Sequence, residues 1–308
     1  DGNYKGYTPF LDSLVSESLV YKYSFANGQQ SIDGLPSILS GIPRFVEPFF
    51  LTPASLNKLS SVGGELKKKG YYTAFFHGAR EFLQFFADKM SSFPQPFSAG
   101  IFTASSHHPY VIPDRYKGVF PDGTLEIHKC IRYSDNALRL FFKKASIESW
   151  FENTLFVLTA DHTNQTEHPE YWTDYGRYAV PIIFYTPDGD LKGYRDAIAQ
   201  QIDIMPTVLS YLGYDKPYVS FGCDLLNTPA EDTYAVNYNN GIYQYFKGDY
   251  MLQFDGEKTV AVYAFKTDKL LKENLVGQVP QQGAMELELK AIIQQYMERM
   301  NGDRMTVE

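Results

Sequence analysis

Phe156–Gln165 reads FVLTADHTNQ. The apolar run Leu155–Leu158 has the β-branched and aromatic character of a buried strand, and it passes directly into Asp161 and His162. A core strand that ends on a carboxylate beside an imidazole offers both donor types that a hard or borderline divalent metal ion uses. The competing expectation is an exposed loop aspartate next to a histidine that packs its ring.

The rest of the chain places that strand in an α/β pattern. Thr8 and Pro9 read as an N-cap and a first helical residue, opening a helix to about Leu19. Val20–Ala26 alternates like a strand, and Asn27–Pro43 reads as a turn and a short helix. Pro53–Gly70 is expected to be one helix closed by Gly70, followed by strands at Tyr71–Phe76 and Ser98–Ala104. Leu125–Phe151 carries Ile127, Ile131, Leu138, Phe141 and Phe142 on one broad helical face. Val180–Tyr185 is a further strand, and Gln200–Gly213 ends in a helix from near Pro206. After Thr233 the runs TYAVNY, GIYQYF, YMLQFD and TVAVYAF alternate around turns, which predicts a small antiparallel sheet before a closing helix over Gly283–Met300. The fold class expected is therefore α/β, a mostly parallel sheet with helices on both faces plus a small C-terminal antiparallel sheet and closing helix. The expected domains are a main one over 1–230 and a small one over 231–308. Ligands of such sheets bind beyond the carboxyl ends of the strands, and His77, His107, Asp161 and His162 all follow predicted strands.

Bulk properties narrow the function classes. With 308 residues, 44% of them hydrophobic and 16% aromatic, the chain can bury a large core. A formal charge of −8 argues against a nucleic-acid surface. Cys130 and Cys223 are the two cysteines, too few for a disulfide framework and spaced like no zinc motif, so each is expected to be a small core residue. No run approaches the roughly 20 apolar residues of a membrane span. The chain opens on Asp1 rather than Met, so a segment is expected upstream of it.

Five motifs occur in a recognisable order: FANGQQSIDGLPSILSGIP, FFHGA, FTASSHHPY, FVLTADHTN and QIDIMPTVLSYLGY. In that order the chain resembles the lipoteichoic-acid-synthase-like phosphoglycerol and phosphoethanolamine transferases, a branch of the sulfatase/alkaline phosphatase superfamily, from Gly6 to about Leu226. The resemblance implies that Ser31 is the nucleophile and that Ser31, Asp161 and His162 are metal ligands. It further implies that His77 and His107 contact the substrate phosphate. The usual metal of that family is a single manganese, with magnesium and zinc compatible with the same donors. Its fourth ligand is a glutamate on a strand before the first helix, which this chain does not contain. Glu17 and Glu47 are not expected to replace it. A long substrate loop of the family falls between Arg80 and Glu81; either this chain has lost that loop or residues are skipped there, and the second is expected. His108 is expected to be structural and His128 to be packed or on the surface, His168 has no expected ligand role, and Asp203 is expected to hold backbone N–H groups at a helix start.

The function implied is metal-dependent transfer of a phosphoglycerol or phosphoethanolamine group from a phospholipid to an envelope glycan or lipid, through a phospho-Ser31 intermediate. The location implied is the outer face of the cytoplasmic membrane, with attachment through N-terminal helices outside this chain. Two alternatives remain at this point: a sulfatase-like or phosphodiester hydrolase, and a non-catalytic envelope binding domain. A formylglycine sulfatase is disfavoured, because Cys130, Cys223 and Ser31 all lack the C/S-x-P-x-R setting that it needs.

Overall fold

A computed structural model describes residues 6–79, 82–104 and 106–307. The Arg80–Glu81 junction lies outside the described residues. In chain order the helices and strands are α1 (Pro9–Ser16), β1 (Leu19–Phe25), α2 (Ser31–Ser40), α3 (Val62–Lys68), β2 (Tyr72–Gly78), α4 (Phe82–Met90) and β3 (Phe97–Thr103). They continue with α5 (Ile127–Ala145), β4 (Phe156–Thr159), β5 (Ile182–Tyr185), β6 (Gly193–Gln200), α6 (Ile204–Tyr211), β7 (Tyr234–Asn239), β8 (Ile242–Lys247), β9 (Tyr250–Phe254), β10 (Thr259–Tyr263) and α7 (Gln282–Asn301). One sheet has the strand order β4-β5-β1-β6, a second β10-β9-β8-β7, and a third pairs β2 with β3. The α/β class, the small antiparallel C-terminal sheet and the closing helix are as expected. The direction is more mixed than "mostly parallel" implies: β2 and β3 are parallel, whereas β1 runs antiparallel to β5.

By contact the chain forms two compact units, each assembled from separate stretches: 1–20, 70–157 and 183–194 in the first, and 21–69, 158–182 and 195–308 in the second. In the first unit, α1 and α4 both pack on the long helix α5. The first turn of α1 would leave its N–H groups unpaired. Thr8 does not cap them, contrary to expectation; its hydroxyl turns to Asp12, and α1 stops at Ser16 rather than near Leu19. The buried carboxylate of Asp135, on α5, accepts the N–H groups of Phe10 and Leu11 at 3.1 and 2.8 Å instead. His128, expected to be either packed or on the surface, is packed, with its ring stacked 4.1 Å from Tyr7 and Nδ1 accepting the Leu125 N–H. Cys130 is fully buried beside Tyr110 and Ile127.

The second unit holds two apolar clusters. One joins Phe45, Phe49 and Ile202 to β7–β10 and α7, through residues such as Tyr245, Leu252 and Leu289. The other stacks Phe25 on Phe246 at 4.5 Å and closes around Tyr178, Ile198 and Phe265. The expected helix over 53–70 is instead a short 3-10 turn at Pro53–Leu56 and then α3. The break follows from the serines between them: Ser61 is extended and its hydroxyl accepts the Gly64 N–H, starting a new helix. β6 was not anticipated, because its first half, Gly193–Asp196, is exposed and polar and only Ala197–Gln200 is buried.

Asp203 does hold backbone N–H groups, those of Gln200 and Cys223, each at 2.8 Å. It is fully buried, and burial pushes its carboxyl up to about 8 against the pull of those donors. The folded value exceeds the unfolded value of about 4, so over that interval the folded state holds the extra proton. This group therefore favours the fold most at acidic pH and progressively less as pH rises from about 4 to about 8. Asp203→Asn is expected to melt lower overall but with a flatter dependence of the midpoint on pH between 5 and 8. An unchanged slope would show that Asp203 does not titrate there.

Candidate active site

The functional side chains are carried by two segments of the second unit, each leaving the carboxyl end of a strand. After β1 the chain crosses Ala26–Gln30 and enters α2, whose first residue is Ser31. Gln30 is extended and makes no side-chain cap, so Ser31 is not an N-cap serine. Its hydroxyl sits on the first turn, where the helix dipole favours negative charge. α2 ends where Gly41 takes a positive φ of 62°, a left-handed cap that favours glycine. A Cβ there would also lie 2.1 Å from the Ser220 hydroxyl.

The second segment is the end of β4, Ala160–Thr163. Asp161 and His162 are partly open, with side-chain exposures of 24% and 21%. Ser31 Oγ donates to Asp161 Oδ2 at 2.5 Å and lies 3.4 Å from His162 Nε2, and Nε2 is 3.4 Å from the same carboxylate oxygen. The structure thus brings together the three side chains singled out as ligands. His162 Nδ1 lies 2.6 Å from the Thr163 carbonyl. A carbonyl only accepts, so Nδ1 carries a hydrogen, and Nε2 is the ring atom turned toward Ser31 and Asp161. Two oxygens and a ring nitrogen thus lie within 3.4 Å of one another.

That donor set fits a divalent cation. Two oxygens and an imidazole nitrogen suit manganese or zinc. Ligands about 2.1 Å from a tetrahedral ion lie roughly 3.4 Å apart, and two of the three separations have that value. The outer bond from Nδ1 to a backbone carbonyl is the usual support of a metal-binding histidine. Among the described residues no three His, Cys, Asp or Glu side chains gather to hold a metal, so the hydroxyl of Ser31 is needed to make up three donors. Glu17 pairs with Lys192 in the first unit, and Glu47 is exposed.

Behind these side chains lies a layer that sequence reading missed. Asp33 is 4% exposed, and burial pushes its carboxyl up, while Arg44, the N–H groups of Gln29 and Gln30, and His162 pull it down. Its Oδ1 faces Arg44 Nε at 3.9 Å. Gly34 lies against Asp161, since a Cβ there would be 2.9 Å from the Asp161 carbonyl oxygen. Beside His162 opens a cleft of about 260 Å³, lined in part by Ala160, Thr163, Asn164 and Tyr171.

His77 and His107 belong to the first unit. His77 is the penultimate residue of β2, in register with Phe102, stacked on its ring and 3.2 Å from its carbonyl through Nδ1. His107 follows β3 in a turn, with Nδ1 2.8 Å from the His108 carbonyl. Both are exposed at the carboxyl ends of the parallel pair. His168 precedes a 3-10 turn and packs edge-on to Tyr171. Cys223 is a free cysteine whose thiol burial pushes up.

Known proteins resemble this chain in sequence and in fold. The family described as Sulfatase matches residues 78–214. Lipoteichoic acid synthase 1 of Bacillus subtilis is 28% identical over 204 residues, covering 60% of this chain and 30% of that protein. The lipoteichoic acid synthase-like protein YvgJ of the same organism is 25% identical over 289 residues, covering 73% and 46%. The chain thus spans less than half the length of these relatives. Among solved structures, a protein in the alkaline phosphatase superfamily from Vibrio parahaemolyticus superposes with a TM-score of 0.83 at 22% identity, covering 98% of this chain and 83% of that one. The lipoteichoic acid synthase LtaP of Listeria monocytogenes gives 0.77 at 20% identity, covering 96% and 86%. In sequence the chain is thus similar to lipoteichoic acid synthases, and in fold to solved proteins such as the alkaline phosphatase superfamily member from Vibrio parahaemolyticus.

Proposed function

We propose that the protein is a metal-dependent phosphotransferase that moves a phosphoglycerol or phosphoethanolamine group from a phospholipid to an envelope glycan or lipid. The observation that carries this reading is the convergence of Ser31 Oγ, Asp161 Oδ2 and His162 Nε2, all within 3.4 Å of one another. Ser31, Asp161 and His162 would hold one divalent ion, most simply manganese. When bound, that ion supplies Lewis acidity that favours the serine alkoxide.

The residues of the chain define the rest. Ser31 Oγ attacks the phosphodiester phosphorus and forms the Oγ–P bond, while the bond from phosphorus to the diacylglycerol oxygen breaks. The hydroxyl proton passes to Asp161 Oδ2 and on through solvent to the diacylglycerol oxygen as it leaves. The helix dipole at the start of α2 favours the anionic group on Ser31. An acceptor hydroxyl then attacks the same phosphorus, the Oγ–P bond breaks, and the acceptor's proton returns to Ser31 Oγ. The family likeness adds His77 and His107 as donors to the phosphoryl oxygens. His107→Ala is expected to slow transfer by roughly 10²–10³, the usual effect of removing one transition-state donor; a change under twofold would remove His107 from the account.

Among the described residues no helix is long and apolar enough to cross a membrane. With a phospholipid donor and an envelope glycan or lipid acceptor, this reading has the domain working at the outer face of the cytoplasmic membrane. The test is diacylglycerol release from vesicles of phosphatidylglycerol or phosphatidylethanolamine. Release that needs added manganese and stops with chelator is expected. Release matched by free head-group phosphate and indifferent to acceptor would favour the phosphodiester hydrolase, and no release from either lipid would contradict the transferase reading.

A further inference from the structure

The side chain of Gln201 touches none of the three candidate ligand atoms, yet it lies between the two segments that carry them. It is fully buried. Its Nε2 donates to the carbonyl oxygens of Ala160 and Asp161, at 2.7 and 2.8 Å. Its Oε1 accepts the backbone N–H of Asn27, four residues before Ser31, at 2.9 Å. All three bonds go to backbone, two on the Asp161 segment and one on the Ser31 segment.

Asn27 is itself fixed. Its Nδ2 donates to Gln200 Oε1 and to the Val236 carbonyl, and its Oδ1 accepts the Ile202 N–H. Gln200 in turn donates from Nε2 to the Tyr234 carbonyl and accepts the Val236 N–H. The network is therefore anchored on β7, and Asn27, Gln200, Gln201, Ile202 and Val236 are all buried. From the other side, Gly34 of α2 lies in near contact with Asp161. The Asp161 backbone is held between a pair of amide donors and a helix that can approach only because residue 34 has no side chain.

We propose that Gln201 is a positioning residue that sets the Asp161 carboxylate against Ser31 and so tunes metal affinity; this rests on the metal-dependent reading above. Only an amide of this length has the right polarity. A glutamate would set a carboxylate against two carbonyl oxygens. A methionine fills the same space with no donors. An asparagine, one methylene shorter, can serve Asn27 or the two carbonyls but not both. Loss of such outer support costs a metal site about 10–100-fold in affinity.

The experiment is calorimetric titration of the chelator-stripped protein with manganese chloride alone, together with thermal melts in chelator. Gln201→Met is expected to weaken manganese binding by about 10–100-fold, and Gln201→Asn by less. Thr207→Val is the control, because Thr207 bonds Asp203 and Leu225 in the same core without touching Asp161. It is expected to lower the melting point while leaving manganese affinity within about twofold of the parent. Should Gln201→Met fail to fold, Gln201→Asn carries the test. Parent and Gln201 variants binding equally would overturn the role of Gln201 alone. A shift matched by Thr207→Val at equal loss of melting temperature would reduce it to general destabilisation and overturn it too. No binding by the parent protein would overturn the metal-dependent reading itself, and this inference with it.

Discussion

Ser31→Ala is expected to lower turnover of a phosphoglycerol or phosphoethanolamine donor by on the order of 10⁴–10⁶. The change removes the atom that bonds to phosphorus, and no other hydroxyl replaces it at the start of α2. Alanine suits a helix, and Ser31 is only partly buried, so the loss of one hydrogen bond to Asp161 should change stability by about 1 kcal/mol at most. An inactive protein with a near-parental melting curve is the expected pair of results. A variant that kept its turnover would leave activated water as the nucleophile, and the protein would then be a hydrolase.

Gly222→Ala is the second large effect, and it acts on the fold. A Cβ at this position would lie 2.0 Å from the carbonyl oxygen of Ile202, 2.4 Å from its carbon and 2.7 Å from the Asp203 nitrogen. All three are backbone atoms, so no rotamer change relieves the overlap. The strand-to-helix corner at Ile202–Asp203 would have to move, and it adjoins Gln201, whose amide holds the Asp161 segment. A destabilisation of about 3–5 kcal/mol is expected, read as a fall in melting midpoint of roughly 5–10 °C. A midpoint within about 1 °C of the parent would mean that the corner yields far more easily than its packing implies.

Some of this was legible in the chain alone, for physical reasons that can be named. Phe156–Leu158 and Val180–Tyr185 are short apolar runs read as strands. They form β4, which is only partly buried rather than buried as expected, and β5, which starts at Ile182 and is buried over Ile182–Phe184. Asp161–His162 follows the end of β4 after Ala160. The four alternating runs after Thr233 follow the period of a half-buried antiparallel sheet, and they form one, in the order β10-β9-β8-β7. What escaped was whatever depended on distant partners. The N-terminus of α1 is held by Asp135, more than a hundred residues away, so Thr8 gave a false cap. β6 begins with exposed polar residues and hides its strand character. Gln201 lies within the QIDIMPTVLSYLGY motif with no role assigned to it from sequence, and only the carbonyls of Ala160 and Asp161 beside its amide reveal what it holds. The one sequence signal was two consecutive amides, Gln200 and Gln201, before a buried helix: side chains that must find partners once buried.

The most direct test of the central claim is intact-protein mass spectrometry of the parent protein and of Ser31→Ala, each incubated with phosphatidylglycerol and manganese and quenched in acid. The account predicts a parent adduct with the mass of one phosphoglycerol group, mapped to the peptide containing Ser31 and lost in Ser31→Ala. Steady diacylglycerol release with no adduct on the parent at any time, or an adduct that persists in Ser31→Ala, would contradict it.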